Sequence, residues 1–193
     1  RASCNMSIKW SDGGRIRVGP REHKHGILKL RSKNVSSGFH VVLAVNLEKY
    51  LYGLAEMPSH WNVKALEAQA LVGRSYAVFH YLDENIPSSS TNIDAGLSEK
   101  QKAYCWCHIG STASSQYYYG YLKEISGPNW VQAVNNTGGK VITYDGSYTR
   151  STVIQAFYSS STGGKTNTNV VGFGSATPWP LSLIHISEPT RLV

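Results

Sequence analysis

The sequence predicts one α+β domain in which a central buried helix packs against antiparallel sheet. Three observations predict it. Residues 62–80 place Leu66, Ala70, Gly73 and Ala77 on one stripe of a helix, and small side chains there let another element approach closely. Short apolar runs divided by turn residues fill positions 7–45. Asp145-Gly146 lies between two β-branched runs, which is a strong short-range hairpin signal. A length of 193 residues suits a single core, and 41% hydrophobic against 16% charged residues excludes a disordered chain.

Taken in order, Ile27-Leu-Lys-Leu30 and Phe39-His-Val-Val-Leu-Ala-Val45 read as strands flanking the turn-like Asn34-Val-Ser-Ser-Gly38. Leu47, Tyr50, Leu51 and Leu54 then fall at i, i+3, i+4 and i+7, one face of a helix. Met57-Pro58 ends it, because the residue before proline is pushed out of helical geometry. Asn62 is the expected N-cap of the central helix. Residues 83–115 are rich in Ser, Thr, Asn and Asp and read mostly as loop; a further helix is expected near 127–135. Lys140–Tyr144 and Thr152–Tyr158 form the arms of the hairpin.

Residues 1–180 read as one domain. The run from Leu181 to Val193 departs from the Gly/Ser/Thr-rich style before it and looks like a translated sequencing adapter. It is set aside as non-native, against the alternative of a short native strand over 181–186. Arg1 is not an initiator methionine, so the lack of a targeting segment carries no meaning. No apolar run reaches the roughly 18 residues of a membrane-spanning helix.

The 19 basic residues exceed the 12 acidic ones, for a formal charge of +7, and they are scattered. This is either a solvated basic face or a surface for an acidic polymer. No zinc finger, basic zipper or RNP motif supports nucleic acid, so none is expected as a partner, and the anionic bacterial wall is the better candidate. Twelve tyrosines and five tryptophans among few charges suit stacking on flat, weakly charged ligands such as sugars.

Several motifs fail on inspection. Gly163-Gly-Lys-Thr166 lacks the glycine that a phosphate loop needs at position 159, which is Ser. Neither a Gly-x-Ser-x-Gly elbow nor a His-Glu-x-x-His zinc motif is present. Cys105, Cys107 and His108 carry ligand types that suit zinc, at a spacing that is not a standard structural one. The alternatives are ordinary thiols, or a bridge from one of them to Cys4. Glu56 sits in Leu54-Ala-Glu-Met-Pro-Ser-His-Trp61, at a stiff junction among apolar groups. Partial burial there would favour a general acid, while position alone is equally that of an exposed helix-end glutamate.

The stretch Leu47-Glu-Lys-Tyr-Leu-Tyr-Gly-Leu-Ala-Glu-Met-Pro-Ser-His-Trp-Asn-Val-Lys-Ala-Leu-Glu-Ala-Gln-Ala-Leu-Val-Gly-Arg-Ser-Tyr-Ala77 resembles the signature of the stage II sporulation protein D family, the SpoIID/LytB domain. Three later pieces follow that signature in order. They are Gln116-Tyr-Tyr-Tyr-Gly120, Ala133-Val-Asn-Asn-Thr-Gly-Gly-Lys-Val-Ile-Thr-Tyr-Asp-Gly146 and Phe157-Tyr-Ser-Ser-Ser-Thr-Gly-Gly-Lys-Thr166. The resemblance runs from about residue 40 to 180.

It implies an extracytoplasmic lytic transglycosylase that cuts peptidoglycan strands stripped of their stem peptides, between N-acetylmuramic acid and N-acetylglucosamine. Relatives described as amidase enhancers imply the alternative of a non-catalytic wall-binding module acting on a cell-wall amidase. Carried over by motif, Glu56 matches the catalytic acid and Arg74 the arginine of the helix, expected to fork onto Glu56 or a muramyl carboxylate. The bland reading of Arg74 is a surface arginine paired with an acid such as Glu67. Gln69, Tyr118 and Tyr158 match positions expected at the substrate. No cofactor is required. Some relatives bind zinc near the Cys105, Cys107 and His108 region, which here would at most organise the loop. One departure is Glu67, where the family carries a lysine.

Overall fold

A computed structural model describes residues 5–34, 38–82, 97–144, 152–159 and 184–185. Strand β1 (Asn5–Ile8) pairs antiparallel with β4 (Ile27–Asn34), which pairs antiparallel with β5 (Gly38–Ala44), giving the order β1-β4-β5. Leu28 stands opposite both Ile8 and Leu43, fixing the register of all three strands. A separate hairpin joins β2 (Ile16–Val18) to β3 (Arg21–His23) through Gly19-Pro20, with Gly19 at φ +58° where a side chain would be strained.

The helical half begins with α1 (Leu47–Tyr52), whose N-cap Asn46 accepts from the Glu48 N–H. Gly53 closes it. The long helix α2 (Val63–Leu82) follows, with the Asn62 side chain accepting from the Lys64 N–H as a cap. Leu66, Ala70, Gly73 and Ala77 are all buried, as the stripe of small residues predicts. Polar Gln69, Arg74 and Ser75 are buried on the same helix, so it is enclosed on more than one side.

One side of α2 packs on α1 and α5 (Pro128–Asn136) around Leu51, Leu54, Leu66, Trp130 and Val134. The Trp130 indole donates to the Leu51 carbonyl at 2.8 Å, tying α5 to α1. The other side meets Ile154, Ala156 and Ile142 beside Val72. There the expected hairpin arms pair antiparallel at Thr143↔Val153, with Tyr144 N–H to Thr152 at 2.8 Å and Ile154 N–H to Ile142 at 3.2 Å. Ser75 joins helix to arm, its hydroxyl accepting from the Ile142 N–H at 2.8 Å. The Asp145-Gly146 turn lies outside the described residues.

Two short helices were not expected. The stretch read as loop contains α3 (Glu99–Tyr104), started by a capping box in which Ser98 and Gln101 each accept from the other's backbone N–H. Local capping outweighs polar composition there. Ahead of α5 lies α4 (Tyr121–Ser126); Gly127 alone separates the two, and Pro128 opens α5. Finally, β6 (Tyr158–Ser159) pairs in parallel with β7 (Ile184–His185), inside the stretch set aside as non-native. No helix among the described residues is long and apolar enough to cross a membrane.

Candidate active site around Glu56

Glu56 leaves α1 on a short extended segment that runs beside residues 117–120. Ala55 donates to the Tyr117 carbonyl at 2.9 Å, Tyr119 donates back to Gly53 at 2.8 Å, and Leu54 bridges Tyr118. In this ladder the Tyr117 N–H points at the Glu56 carboxylate and hydrogen-bonds it. The carboxylate is half-buried.

The chain just after Glu56 is held by a buried ammonium. Lys123 of α4 donates to the Met57 carbonyl and the Ser59 hydroxyl, each at 2.7 Å. Burial holds its pKa below the ordinary lysine value. Proline at 58 and Lys123 together fix the chain direction immediately after Glu56.

Three tyrosines feel the Glu56 charge. Burial, then the Glu56 charge, pushes the Tyr158 phenol well above the ordinary tyrosine pKa. Burial likewise raises Tyr76, with the Glu56 charge adding to it, and raises Tyr50, where Tyr158 and then Glu56 contribute. These phenols stay neutral at physiological pH; the Tyr50 hydroxyl donates to Gln116 and the Tyr158 hydroxyl accepts from it. Gln116, fully buried, ties them together. Its oxygen accepts from Tyr50 at 3.0 Å, and its nitrogen donates to the Gly73 carbonyl at 3.0 Å and Tyr158 at 3.3 Å. The small residue at 73 is what brings α2 this close.

Arg74 is placed elsewhere. It is fully buried, and its five N–H groups have five acceptors: both Glu48 oxygens, the Val134 and Lys140 carbonyls and the Thr137 hydroxyl. The expected fork goes to Glu48, neither to Glu56 nor to Glu67. Glu67 instead pairs with Lys64 at 2.8 Å and accepts from Asn136 at 2.7 Å. Arg74 thus ties α2 to α1 and to the carbonyl end of α5, where a cation is favourable. The expectation that it contacts the reacting groups is corrected: all its donors are consumed inside the fold.

Gln69 is 2% exposed on α2 and has no contact with Glu56 among the described residues. Tyr118 is also interior, 8% exposed, with its ring stacked on Tyr50 at 5.3 Å and on His23 at 6.0 Å. It packs against Gly53, where an added Cβ would lie 2.4 Å from the ring. Its role is to set the spacing of the ladder beside Glu56. Tyr158 is bound to Gln116, and the Glu56 charge raises its pKa.

Cys105 and Cys107 are joined to each other by a disulfide. Neither sulfur is then the thiolate that zinc coordination needs. Zinc does not fit the pair in this form, and Cys4 lies outside the described residues.

Sequence reasoning passed over Gln116, Tyr50 and Lys123. Gln116 heads the Gln-Tyr-Tyr-Tyr-Gly motif and is legible there; Lys123 carries no sequence signal.

Glu56 thus sits just past a short helix of an α+β domain, its carboxylate held by a backbone N–H. The sequence profile of the Stage II sporulation protein family matches residues 35–144, and the chain belongs to that family. It is 31% identical over 143 residues to an uncharacterized protein of Brachyspira hyodysenteriae, covering 72% of this chain and 32% of that protein. It is 29% identical over 134 residues to an amidase enhancer of Bacillus subtilis, covering 69% of this chain and 14% of that protein. The chain therefore spans only a minor part of either relative.

Proposed function

We propose that the chain is a lytic transglycosylase acting outside the cytoplasm on the glycan strands of peptidoglycan, with Glu56 as its sole catalytic carboxylate. The observation that carries this is the setting of Glu56: half-buried, held by the Tyr117 N–H, and hydrogen-bonded to no second carboxylate among the described residues. Ordinary glycosidases need two carboxyl groups, one to protonate the leaving oxygen and one to attack or to activate water. A lytic transglycosylase needs one, because the muramyl 6-hydroxyl is the nucleophile. Glu56 protonates the glycosidic oxygen, and the C1–O bond breaks. The resulting carboxylate takes the proton of the 6-hydroxyl as its oxygen bonds to C1. Glu56 ends protonated, and the product carries a 1,6-anhydro end.

The neutral phenol of Tyr158 can steady the carboxylate between these two proton transfers. The fixed backbone on both sides of Glu56 supplies the positioning that such a step requires.

The test is to incubate the chain with denuded glycan strands and look for anhydro-muramic ends by mass. Glu56→Gln should abolish them while leaving glycan binding nearly intact; wild-type-like turnover by that variant would sink the assignment. The name of the Bacillus relative favours a second reading, a wall-binding module that enhances an amidase. Under that reading the chain yields no anhydro ends, and amidase stimulation survives Glu56→Gln.

A further inference from the structure

The segment 117–119 alternates in and out of the protein. Tyr118 is buried, while Tyr117 and Tyr119 stand on the opposite side at 38% and 37% exposure. The alternation is the period of an extended chain, and it is enforced by the Ala55 and Tyr119 backbone bonds to Tyr117 and Gly53. The two exposed rings lie near-parallel, 24° apart in plane and 6.3 Å between centroids. That is an offset arrangement in which the rings overlap only in part, and both keep more than a third of their surface in solvent. Ring surface is therefore left open, and neither hydroxyl has a hydrogen-bond partner among the described residues.

The pair is also fixed relative to the carboxylate. The N–H that holds Glu56 is that of Tyr117 itself. An open aromatic pair whose own backbone N–H holds an acid is a surface that would hold a flat, partly apolar ligand near that acid. Pyranose rings present such C–H faces, with hydroxyls at the edge for the phenols to meet.

We propose that Tyr117 and Tyr119 form a platform on which a sugar ring next to the scissile bond stacks. This rests on the reading of Glu56 as a glycan-cleaving acid. It shifts the expected ring contact from Tyr118, which is interior, to its two neighbours.

The test uses the full chain carrying Glu56→Gln, so that nothing turns over, with denuded glycan oligomers as the probe in calorimetry. Tyr117→Ala and Tyr119→Ala should each weaken binding by about 3- to 10-fold, the range of one aromatic contact. Tyr117→Phe and Tyr119→Phe, which keep the ring, should stay within about twofold of the parent on the same scale. Tyr104→Ala, removing a tyrosine 67% exposed on α3, should change nothing. Alanine variants that remain folded and bind like the parent would overturn the platform while leaving the Glu56 reading intact. Failure of the Glu56→Gln parent itself to bind would contradict the glycan reading first, and the platform with it.

Discussion

Glu48 grips Arg74 through two parallel bonds, Nε to Oε1 at 2.9 Å and Nη2 to Oε2 at 2.8 Å, linking α1 to α2. The guanidinium side chain is 1% exposed and the carboxylate 32%. Removing one partner of a buried pair costs about 3–5 kcal/mol, because the other charge is stranded. Glu48 keeps a third of its surface in water, so Glu48→Ala should cost somewhat less, about 2–3 kcal/mol in urea unfolding at neutral pH. Arg74→Lys keeps the charge and loses the fork, and should also destabilise. Under conditions where each variant is fully folded, glycan cleavage should be near wild type. A large loss of turnover in stable, folded Arg74→Lys would return that residue to the chemistry.

Gly53 has φ −88°, so its backbone would accept any residue. What it cannot accept is a side chain, since a Cβ there would meet Tyr118 at 2.4 Å. Gly53→Ala should therefore cost about 1–3 kcal/mol through overpacking alone. Pushing Tyr118 outward also displaces the Tyr117 N–H from Glu56. Turnover should fall roughly tenfold or more with little change in KM, as a misplacement of an ångström allows. Parallel thermal melts and steady-state kinetics check it. Full activity in a destabilised Gly53→Ala would separate the ladder from the positioning of Glu56.

The fold class could be read from periodicity because it depends on local pattern: the stripe Leu66, Ala70, Gly73, Ala77 and the run Leu47 to Leu54 each declare a buried face. The short helix α3 escaped because its stability comes from the Ser98–Gln101 box inside a polar, loop-like composition. The site was legible only in part. Glu56 is legible only through the family resemblance of Glu-Met-Pro, since its position near a proline reads equally as that of an exposed helix-end glutamate. Arg74 could not be placed, because its partner Glu48 is 26 residues away and belongs to another helix. Tyr118 was singled out over Tyr117 and Tyr119 because a motif records identity, whereas which alternate residues face solvent is decided by the pairing of 53–55 with 117–120.

The disulfide of Cys105 and Cys107 closes a very short loop, so little chain entropy is at stake: about 1–2 kcal/mol on the loop-length relation. Reduction should lower the unfolding midpoint only slightly. Because the proposed proton transfers need no Lewis acid, reduction followed by chelation should leave glycan cleavage within about twofold of the untreated chain. Elemental analysis before and after treatment completes the experiment. Stoichiometric zinc together with complete loss of cleavage in folded, chelated protein would contradict it.

Buried tyrosines give stability an alkaline edge with a definite sign. Burial pushes the Tyr118 phenol up to about 12 from 10.0, and raises Tyr50 and Tyr158 further still. A raised folded pKa means that the folded state keeps protons that the unfolded chain releases. The resulting stabilisation is fully present below pH 10 and is lost as pH rises through 12. For Tyr118 the loss is on the order of 2 kcal/mol. Lys123 works in the opposite direction: its lowered pKa makes stability rise as pH approaches 10.5. Comparing Tyr118→Phe with the wild type cancels that contribution, since both keep Lys123. The urea midpoint of the wild type should fall faster between pH 10 and 12 than that of Tyr118→Phe. Absorbance at 295 nm, where ionised phenol absorbs, should show in the folded wild type a late-titrating tyrosine that the variant lacks. Identical pH profiles for the two proteins would show that the Tyr118 phenol ionises as freely in the fold as in the unfolded chain.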